Sequence, residues 1–143
     1  RPVAGISTLE ALAWEVTEQM QTELPVAVLL DARREQCYAG AYERRGDGLN
    51  TVFAAGVYPA EELSTQLPEL CHVAGSGADL YAEVLGARTD GSSGRALIAG
   101  RSPHARAVGV LGAHALARGE GVLAGVLEPD YLRGADARLP GRA

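Results

Sequence analysis

The sequence predicts an α/β fold, a mixed sheet that begins with three antiparallel strands and carries helices on both faces. Its 143 residues leave room for one hydrophobic core but not for two independent ones. Residues 26–30 are a continuous apolar run, which indicates a strand buried on both faces. After residue 59, helical and strand patterns alternate along the chain, which is typical of helices that cover a sheet.

The first helix is predicted to begin at a capping box. In that motif the Ser7 hydroxyl accepts from a first-turn amide, while Glu10 reaches back to the Ser7 amide. Pro25 forbids continuation of the helix. Between these limits, apolar residues repeat at helical spacing and define a buried face: Leu9, Leu12, Ala13, Val16 and Met20.

Three strands follow this helix. The apolar run 26–30 is the first, and residues 36–43 form the second, with Tyr38 and Tyr42 on one side. Glycines within residues 45–48 allow the chain to reverse. Residues 51–55 then return as the third strand, so that the three strands are antiparallel in succession.

A helix and a strand come next, and a second helix follows them. Pro59 in a first helical turn opens a helix that Pro68 closes, and residues 71–74 form a short strand. The next helix is predicted over residues 78–85, with Gly86 in the left-handed position after it.

The last two elements complete the pattern. Residues 95–99 are predicted to form a strand. Ser102 as N-cap and Pro103 as first residue start the final helix, which Gly119 ends. The whole order is that of a ribonuclease-H-like layer, the half-unit of actin-like and sugar-kinase-like ATPases.

Composition excludes several classes of function. A formal net charge of −5 and a pI near 5.2 argue against a chain that grips phosphate backbones by itself, so any work on RNA is expected to be indirect. All thirteen basic residues are Arg, which excludes a P-loop lysine and a Schiff-base lysine.

The cysteines favour a reducing compartment. Cys37 and Cys71 lie far apart, without the spacing of a metal or redox motif, and each falls in an apolar strand-like run. Buried, inert thiols are therefore expected. The sequence contains no signal peptide and no long apolar run, and a cytoplasmic protein without a membrane segment is the resulting expectation.

Three residues are candidates for a degenerate nucleotide site. Asp31 follows the first strand, where open α/β sheets place ligand-binding loops, but the turn over residues 31–35 contains no glycine that would let backbone approach a phosphate. Gly75 and Gly77 follow the strand at residues 71–74 and resemble the glycine turn that contacts adenosine in actin-like proteins. For each residue a structural alternative stays open, namely a turn cap for Asp31 and a tight turn for the glycines.

The histidines test a metallopeptidase alternative. His104 and His114 are ten residues apart, whereas a zinc helix places its two ligands one turn apart. His72 lies beside Cys71, but adjacent strand residues point to opposite faces. The sequence therefore predicts no metal site and no catalytic residue.

Three segments carry a resemblance to a known family. They are Gly5-Ile6-Ser7-Thr8-Leu9, then Asp31-Ala32-Arg33 with Tyr38, and the tail Glu128-Pro129-Asp130-Tyr131-Leu132-Arg133 with Ala135-Asp136-Ala137 and Leu139-Pro140-Gly141. Together they resemble the TsaB (YeaZ) family, scaffold subunits of the machinery that makes threonylcarbamoyladenosine in tRNA. The resemblance covers the whole chain but only the C-terminal half of that family, which implies a ribonuclease-H-like domain over residues 1–128 and an extended tail over residues 129–143.

The resemblance implies a non-catalytic role without a cofactor. In the family, the full-length scaffold pairs with a TsaD-like catalytic paralogue and is joined by a TsaE-like ATPase, and tRNA is engaged indirectly. That pairing runs mainly through an N-terminal domain, and the first residue, Arg1, suggests a fragment that starts after it. Self-association through Leu9, Leu12 and Val16 is a further expectation. The alternatives are a glycoprotease-type metallopeptidase homologue and a degenerate nucleotide-binding, kinase-like half-domain.

Overall fold

The computed structural model describes residues 1–133 and contains one five-stranded mixed sheet. In chain order the elements are β1 (Pro2–Val3), α1 (Thr8–Met20), β2 (Val26–Asp31), β3 (Gln36–Arg45), β4 (Gly48–Pro59), α2 (Ala60–Gln66), β5 (Cys71–Ala74), α3 (Ser76–Leu80), α4 (Ala82–Leu85), β6 (Arg95–Ile98), α5 (Ala105–Ala117), β7 (Val122–Leu123) and a 3₁₀ turn (Ala124–Val126). The sheet order is β4-β3-β2-β5-β6.

This topology confirms the predicted fold class. β2, β3 and β4 form an antiparallel meander, and β5 and β6 then extend the sheet parallel to β2. Alternate side chains of β2 enter different cores: Val26 and Val28 pack with α1, while Ala27 and Leu29 pack with α2 to α4. α5 packs against α1 through Trp14. Helices therefore cover both faces of the sheet.

α1 begins where the capping box predicts. The Ser7 hydroxyl accepts from the Glu10 amide at 3.5 Å, and the chain leaves the helix through Gln21 in the left-handed conformation. The helix thus ends before Pro25 is reached. Most of the predicted face is buried, but Met20 is 42% exposed. Leu9, Leu12 and Val16 are each no more than 2% exposed, so the prediction that they mediate self-association is wrong.

Two predicted starting points of helices are wrong. Pro59 is the last residue of β4 and the N-cap of α2, because the pairing of β4 with β3, although its register shifts on the way, extends as far as that residue. α5 begins at Ala105 rather than at Pro103, with His104 as N-cap in an extended conformation. That conformation accompanies a contact of the His104 ring with the Glu15 carboxylate, 3.0 Å away.

Two further features differ from the prediction. The helix expected over residues 78–85 is two short helices, α3 and α4, which are interrupted at Tyr81, although Gly86 does follow in the left-handed conformation. β1 and β7 were not predicted, because strands of two residues leave no periodic pattern. Within residues 1–133, no helix has the length and apolar character needed to span a membrane.

Arg95 is a buried cation that joins several elements. Its side chain donates to the carbonyl oxygens of Leu67, Pro68 and Leu85, at 2.8, 3.0 and 2.8 Å respectively. A buried guanidinium needs partners for its fixed set of donors, and these carbonyls lie just after α2 and at the end of α4. Arg95 therefore holds β6 to the helices that cover this face of the sheet.

The junction between β5 and α3 is packed directly onto β2. Gly75 has φ of +110°, and a Cβ at this position would lie 2.2 Å from the Leu29 carbonyl oxygen. A Cβ at Gly77 would lie 2.9 Å from the Cys37 sulfur and 3.1 Å from Leu29. Both glycines are consequently required by backbone conformation or by close packing, whatever else they do.

We expect Gly75→Ala to destabilise the protein by about 3 kcal/mol or more, because the methyl group meets backbone and the conformation is almost exclusive to glycine. Gly109→Ala is the matched control, since Gly109 lies in α5 with open space around its Cβ position. That variant should gain about 0.5–1 kcal/mol. Urea unfolding of both variants measures the difference, and equal stabilities would contradict the expectation.

Candidate functional site at the carboxyl edge of the sheet

The candidate residues come together at one edge of the sheet. β2, β5 and β6 run parallel, so their carboxyl ends lie on the same edge, which is where ligands bind in open α/β sheets. Asp31 ends β2, and Gly75 and Gly77 follow β5. The Ser76 hydroxyl accepts from the Asp31 amide at 3.0 Å and joins the two segments. Ser76 was not among the predicted site residues, although it stands between the two glycines.

The Asp31 carboxylate is engaged in the turn that follows β2. Its Oδ1 accepts from the Arg33 amide at 2.9 Å, which is the contact of a turn-capping aspartate. Arg33, Arg34 and Glu35 all have positive φ, at 66°, 52° and 59°. Such a run of left-handed residues is unfavourable without glycine, so it must be held by its surroundings. The geometry supplies a structural role for Asp31; whether the edge also contacts a nucleotide stays a prediction.

The tail provides one of the contacts that hold this turn. Arg133 donates to the Ala32 carbonyl oxygen at 2.7 Å and to Gln36 Oε1 at 2.8 Å. Leu132 packs against the core cluster around α1, whereas Tyr131 is 79% exposed. The tail therefore docks on its own domain through Leu132 and Arg133 but not through Tyr131. The predicted tail continues to residue 143, and residues 134–143 lie outside the described part of the chain.

Between the tail and the sheet lies a groove that sequence reasoning did not anticipate. It has a volume of about 970 Å³ and runs over the face of β2 to β4 that α1 leaves uncovered. We call it the tail groove. It is lined by residues 5–10, Leu30, Tyr38, Tyr42, Thr51, Ala55 and residues 127–133.

The floor of the tail groove carries a small polar cluster. Burial raises the pKa of Tyr42 to about 12, with a further contribution from the Glu10 carboxylate, against the lowering effect of a hydrogen bond with the Ser7 hydroxyl. Burial, and to a smaller extent Glu120, raises the pKa of Glu10 above its ordinary value. The Ser7 and Glu10 signals were visible in the sequence as a capping box, but nothing there showed that Tyr42 joins them.

The histidines occupy three separate places. His72 Nε2 lies 3.1 Å from the Thr22 hydroxyl, His104 Nδ1 lies 3.0 Å from Glu15, and His114 Nδ1 lies 2.9 Å from the Asp47 carbonyl oxygen. Burial lowers the pKa of His72. Among residues 1–133, no three His, Cys, Asp or Glu side chains come together in a way that would hold a metal ion.

The cysteines are buried, as predicted. Both are free thiols, and burial raises the pKa of each to about 11, with Asp31 adding to the effect at Cys37 and Arg95 opposing it at Cys71. Because the thiolate is the nucleophilic form, burial and the raised pKa both disfavour a nucleophilic role for these cysteines.

Comparison with known proteins identifies a matching family and two similar solved structures. The family model of TsaD, tRNA N6-adenosine threonylcarbamoyltransferase, matches residues 1–88. A solved structure from Pseudomonas aeruginosa, described as an uncharacterized protein with similarity to peptidase YeaZ, is 31% identical with a TM-score of 0.77; this chain aligns over 93% of its own length and 60% of the other's. YeaZ from Pseudomonas aeruginosa matches at 31% identity and TM-score 0.77, over 92% of this chain and 60% of its own. No curated protein matches the sequence.

These matches fix the class and then the family. A five-stranded mixed sheet with helices on both faces, superimposable on YeaZ, is a domain of the actin-like ATPase fold. The chain belongs to the TsaD family, and within it is a TsaB/YeaZ-like protein. It spans about 60% of the length of the solved structures that it matches.

We expect Arg133→Gln to lower the free energy of unfolding by about 1–2 kcal/mol, because two charge-assisted hydrogen bonds to the strained turn are lost. The control is Arg118→Gln, which removes an exposed pair with Glu120 and should cost less than about 1 kcal/mol. Equal losses in urea unfolding would show that the tail does not stabilise the turn.

A second prediction concerns how the stability of the fold depends on pH in the acidic range. Because the pKa of Glu10 is raised on folding, the folded state binds more protons than the unfolded state once the pH exceeds the ordinary value of 4.5. The stability of the wild type relative to Glu10→Gln should therefore fall as the pH rises through the range above that value. Thermal unfolding of both proteins between pH 4 and pH 7 tests this, and a difference that is constant or rises with pH would refute it.

Proposed function

We propose that this chain is part of a non-catalytic scaffold subunit of the complex that makes threonylcarbamoyladenosine next to the anticodon of tRNAs. The observation that carries the proposal is the agreement of two comparisons: the TsaD family model covers residues 1–88, and YeaZ superimposes on 92% of the chain. The partners in this proposal are a TsaD-like catalytic paralogue and a TsaE-like ATPase. The protein acts in the cytoplasm.

The geometry of the carboxyl edge supports a non-catalytic role. Asp31 uses its carboxylate within its own turn, and the side chains of Arg33 to Glu35 stand where an active ATPase would present glycine backbone to phosphate. The absence of side chains at Gly75 and Gly77 lets this segment pack closely on β2. In this proposal Asp31, Gly75 and Gly77 are the remnant of a nucleotide-binding edge that now serves the fold.

The surface charge supports an indirect contact with tRNA. The chain carries a formal net charge of −5, and several arginines are paired with acids, as in Arg106 with Glu18 and Arg118 with Glu120. Binding to a phosphate backbone by counterion release needs clustered cations that are available to the phosphates. The proposed role is therefore to hold the catalytic paralogue rather than the nucleic acid.

Two other functions, a metallopeptidase and a kinase-like half-domain, are less well supported. The only point in favour of a metallopeptidase is that one matched structure is of a protein with similarity to peptidase YeaZ. Against it stands the separation of His72, His104 and His114, each of which contacts a different part of the molecule. A kinase-like half-domain would need backbone amides to cradle phosphate at the turn after β2, where left-handed arginines stand instead.

The experiment is depletion of the protein that carries this chain, followed by digestion of bulk tRNA and quantification of threonylcarbamoyladenosine by mass spectrometry. We expect most of the modification to be lost, and both the wild type and Asp31→Asn to restore it. Asn keeps an acceptor for the Arg33 amide but removes the charge that catalysis would use. Glu61→Gln, on the exposed surface of α2, is the matched control.

Three outcomes would contradict this proposal. An unchanged level of the modified nucleoside on depletion would exclude the role in tRNA modification. A folded Asp31→Asn protein that fails to restore the nucleoside would exclude the non-catalytic role. About one zinc ion retained per chain after dialysis would favour the metallopeptidase instead.

A further inference from the structure

The tail groove carries more negative than positive charge. Glu10 lines its floor, and Glu128 and Asp130 line the wall formed by the tail. No ion pair of these three carboxylates occurs among residues 1–133. Among the described residues that line the groove, the one cation is Arg133, which donates to Ala32 and Gln36. The groove therefore favours a cation over a phosphate or carboxylate.

Aromatic rings give the groove a second property. Tyr42 is 2% exposed in its floor, Tyr38 lies beside it on the same strand, and Tyr131 stands exposed at the rim. A guanidinium group is planar and only weakly hydrated, so that it stacks on aromatic faces while it pairs with carboxylates. Tyr42 is too buried to be stacked on, so the available rings are those of Tyr38 and Tyr131. Together with carboxylates that have no ion pair among residues 1–133, they favour arginine over the compact, hydrated ammonium group of lysine.

The N-terminus of α1 also faces the groove, and by itself it would favour an anion. The chain itself already provides an acceptor and a negative charge at this helix end. The Ser7 hydroxyl accepts from the Glu10 amide, and the Glu10 carboxylate supplies the negative charge. The same carboxylate is half-buried and has no ion pair among residues 1–133, and burial, with a smaller effect of Glu120, raises its pKa. The guanidinium group of a bound arginine would form an ion pair with the Glu10 carboxylate.

The shape of the groove indicates a segment of chain rather than a single side chain. Its volume of about 970 Å³ is at the upper end of the usual range for small-molecule sites, and apolar side chains such as Leu30 and Leu127 line it next to the charges. We propose that the tail groove binds an arginine side chain carried on an extended, partly apolar segment of a partner protein, with Glu10 and Asp130 as the pairing carboxylates.

This site does not depend on the proposed role in tRNA modification, because it is tested on the chain alone. The probe is the peptide acetyl-Ala-Arg-Leu-amide, titrated into the ¹⁵N-labelled chain and followed by the amide NMR shifts. We expect saturable shifts at residues 5–10, 38–42 and 127–133 with a millimolar dissociation constant. The same peptide with citrulline, which has the shape of arginine without its charge, should bind at least threefold more weakly.

Variants that remove one charge each test which carboxylates bind the arginine side chain. Glu10→Gln should weaken binding of the arginine peptide by about three- to tenfold, which corresponds to one partly exposed ion pair. Asp130→Asn lies in the tail, outside the helices and strands, and provides the same test if Glu10→Gln perturbs folding. Glu61→Gln, on α2 at the opposite face of the sheet, is the matched control and should leave the affinity unchanged.

The proposal fails if the citrulline peptide binds as tightly as the arginine peptide, or if the shifts lie outside the groove. It also fails if both Glu10→Gln and Asp130→Asn bind like the wild type. Argininamide that binds as tightly as the peptide would overturn the assignment of an extended segment. Absence of any shift at high millimolar peptide would exclude the site altogether.

Discussion

β2 is the constraint on which the fold depends. It is hydrogen-bonded to β3 on one edge and to β5 on the other, and helices cover both of its faces. A strand in that position has no room for a polar side chain, so the first one, Asp31, comes only where the chain leaves the sheet. Gly75 and Gly77 are glycines because the next crossover lies directly on the backbone of this strand. The candidate site is thus a consequence of how closely the neighbouring elements approach β2.

Sequence reasoning succeeded where a local signal decides the structure. The capping role of Ser7, the strand at residues 71–74 and the left-handed Gly86 depend on the identity of a few adjacent residues, and all three are observed. Sequence reasoning failed where the local structure is determined by a contact with a residue far away in the chain. His104 caps α5 in an extended conformation while its ring contacts Glu15, 89 positions earlier in the chain, and no local pattern encodes that pairing.

The same distinction holds for the candidate site. Topology alone places Asp31 and Gly75 on one edge, since parallel strands end together, and this part of the site was predictable. The tail groove was not, because it needs the first turn of α1, the face of β3 and residues 127–133 at once. Arg133 belongs to the tail segment that the sequence singled out, yet one of its partners is the carbonyl oxygen of Ala32, and a backbone carbonyl leaves no trace in the identity of a residue.

The contact between Arg133 and Ala32 spans 101 residues, and this separation has a meaning for the order of folding. α1 and the meander of β2 to β4 lie within residues 1–59, so they are synthesised well before the tail. The tail arrives after every strand of the main sheet has been made. A contact of this kind acts mainly on the rate of unfolding if it is absent from the folding transition state. A molecule that binds the tail groove therefore binds only chains that have been synthesised as far as Arg133 and folded.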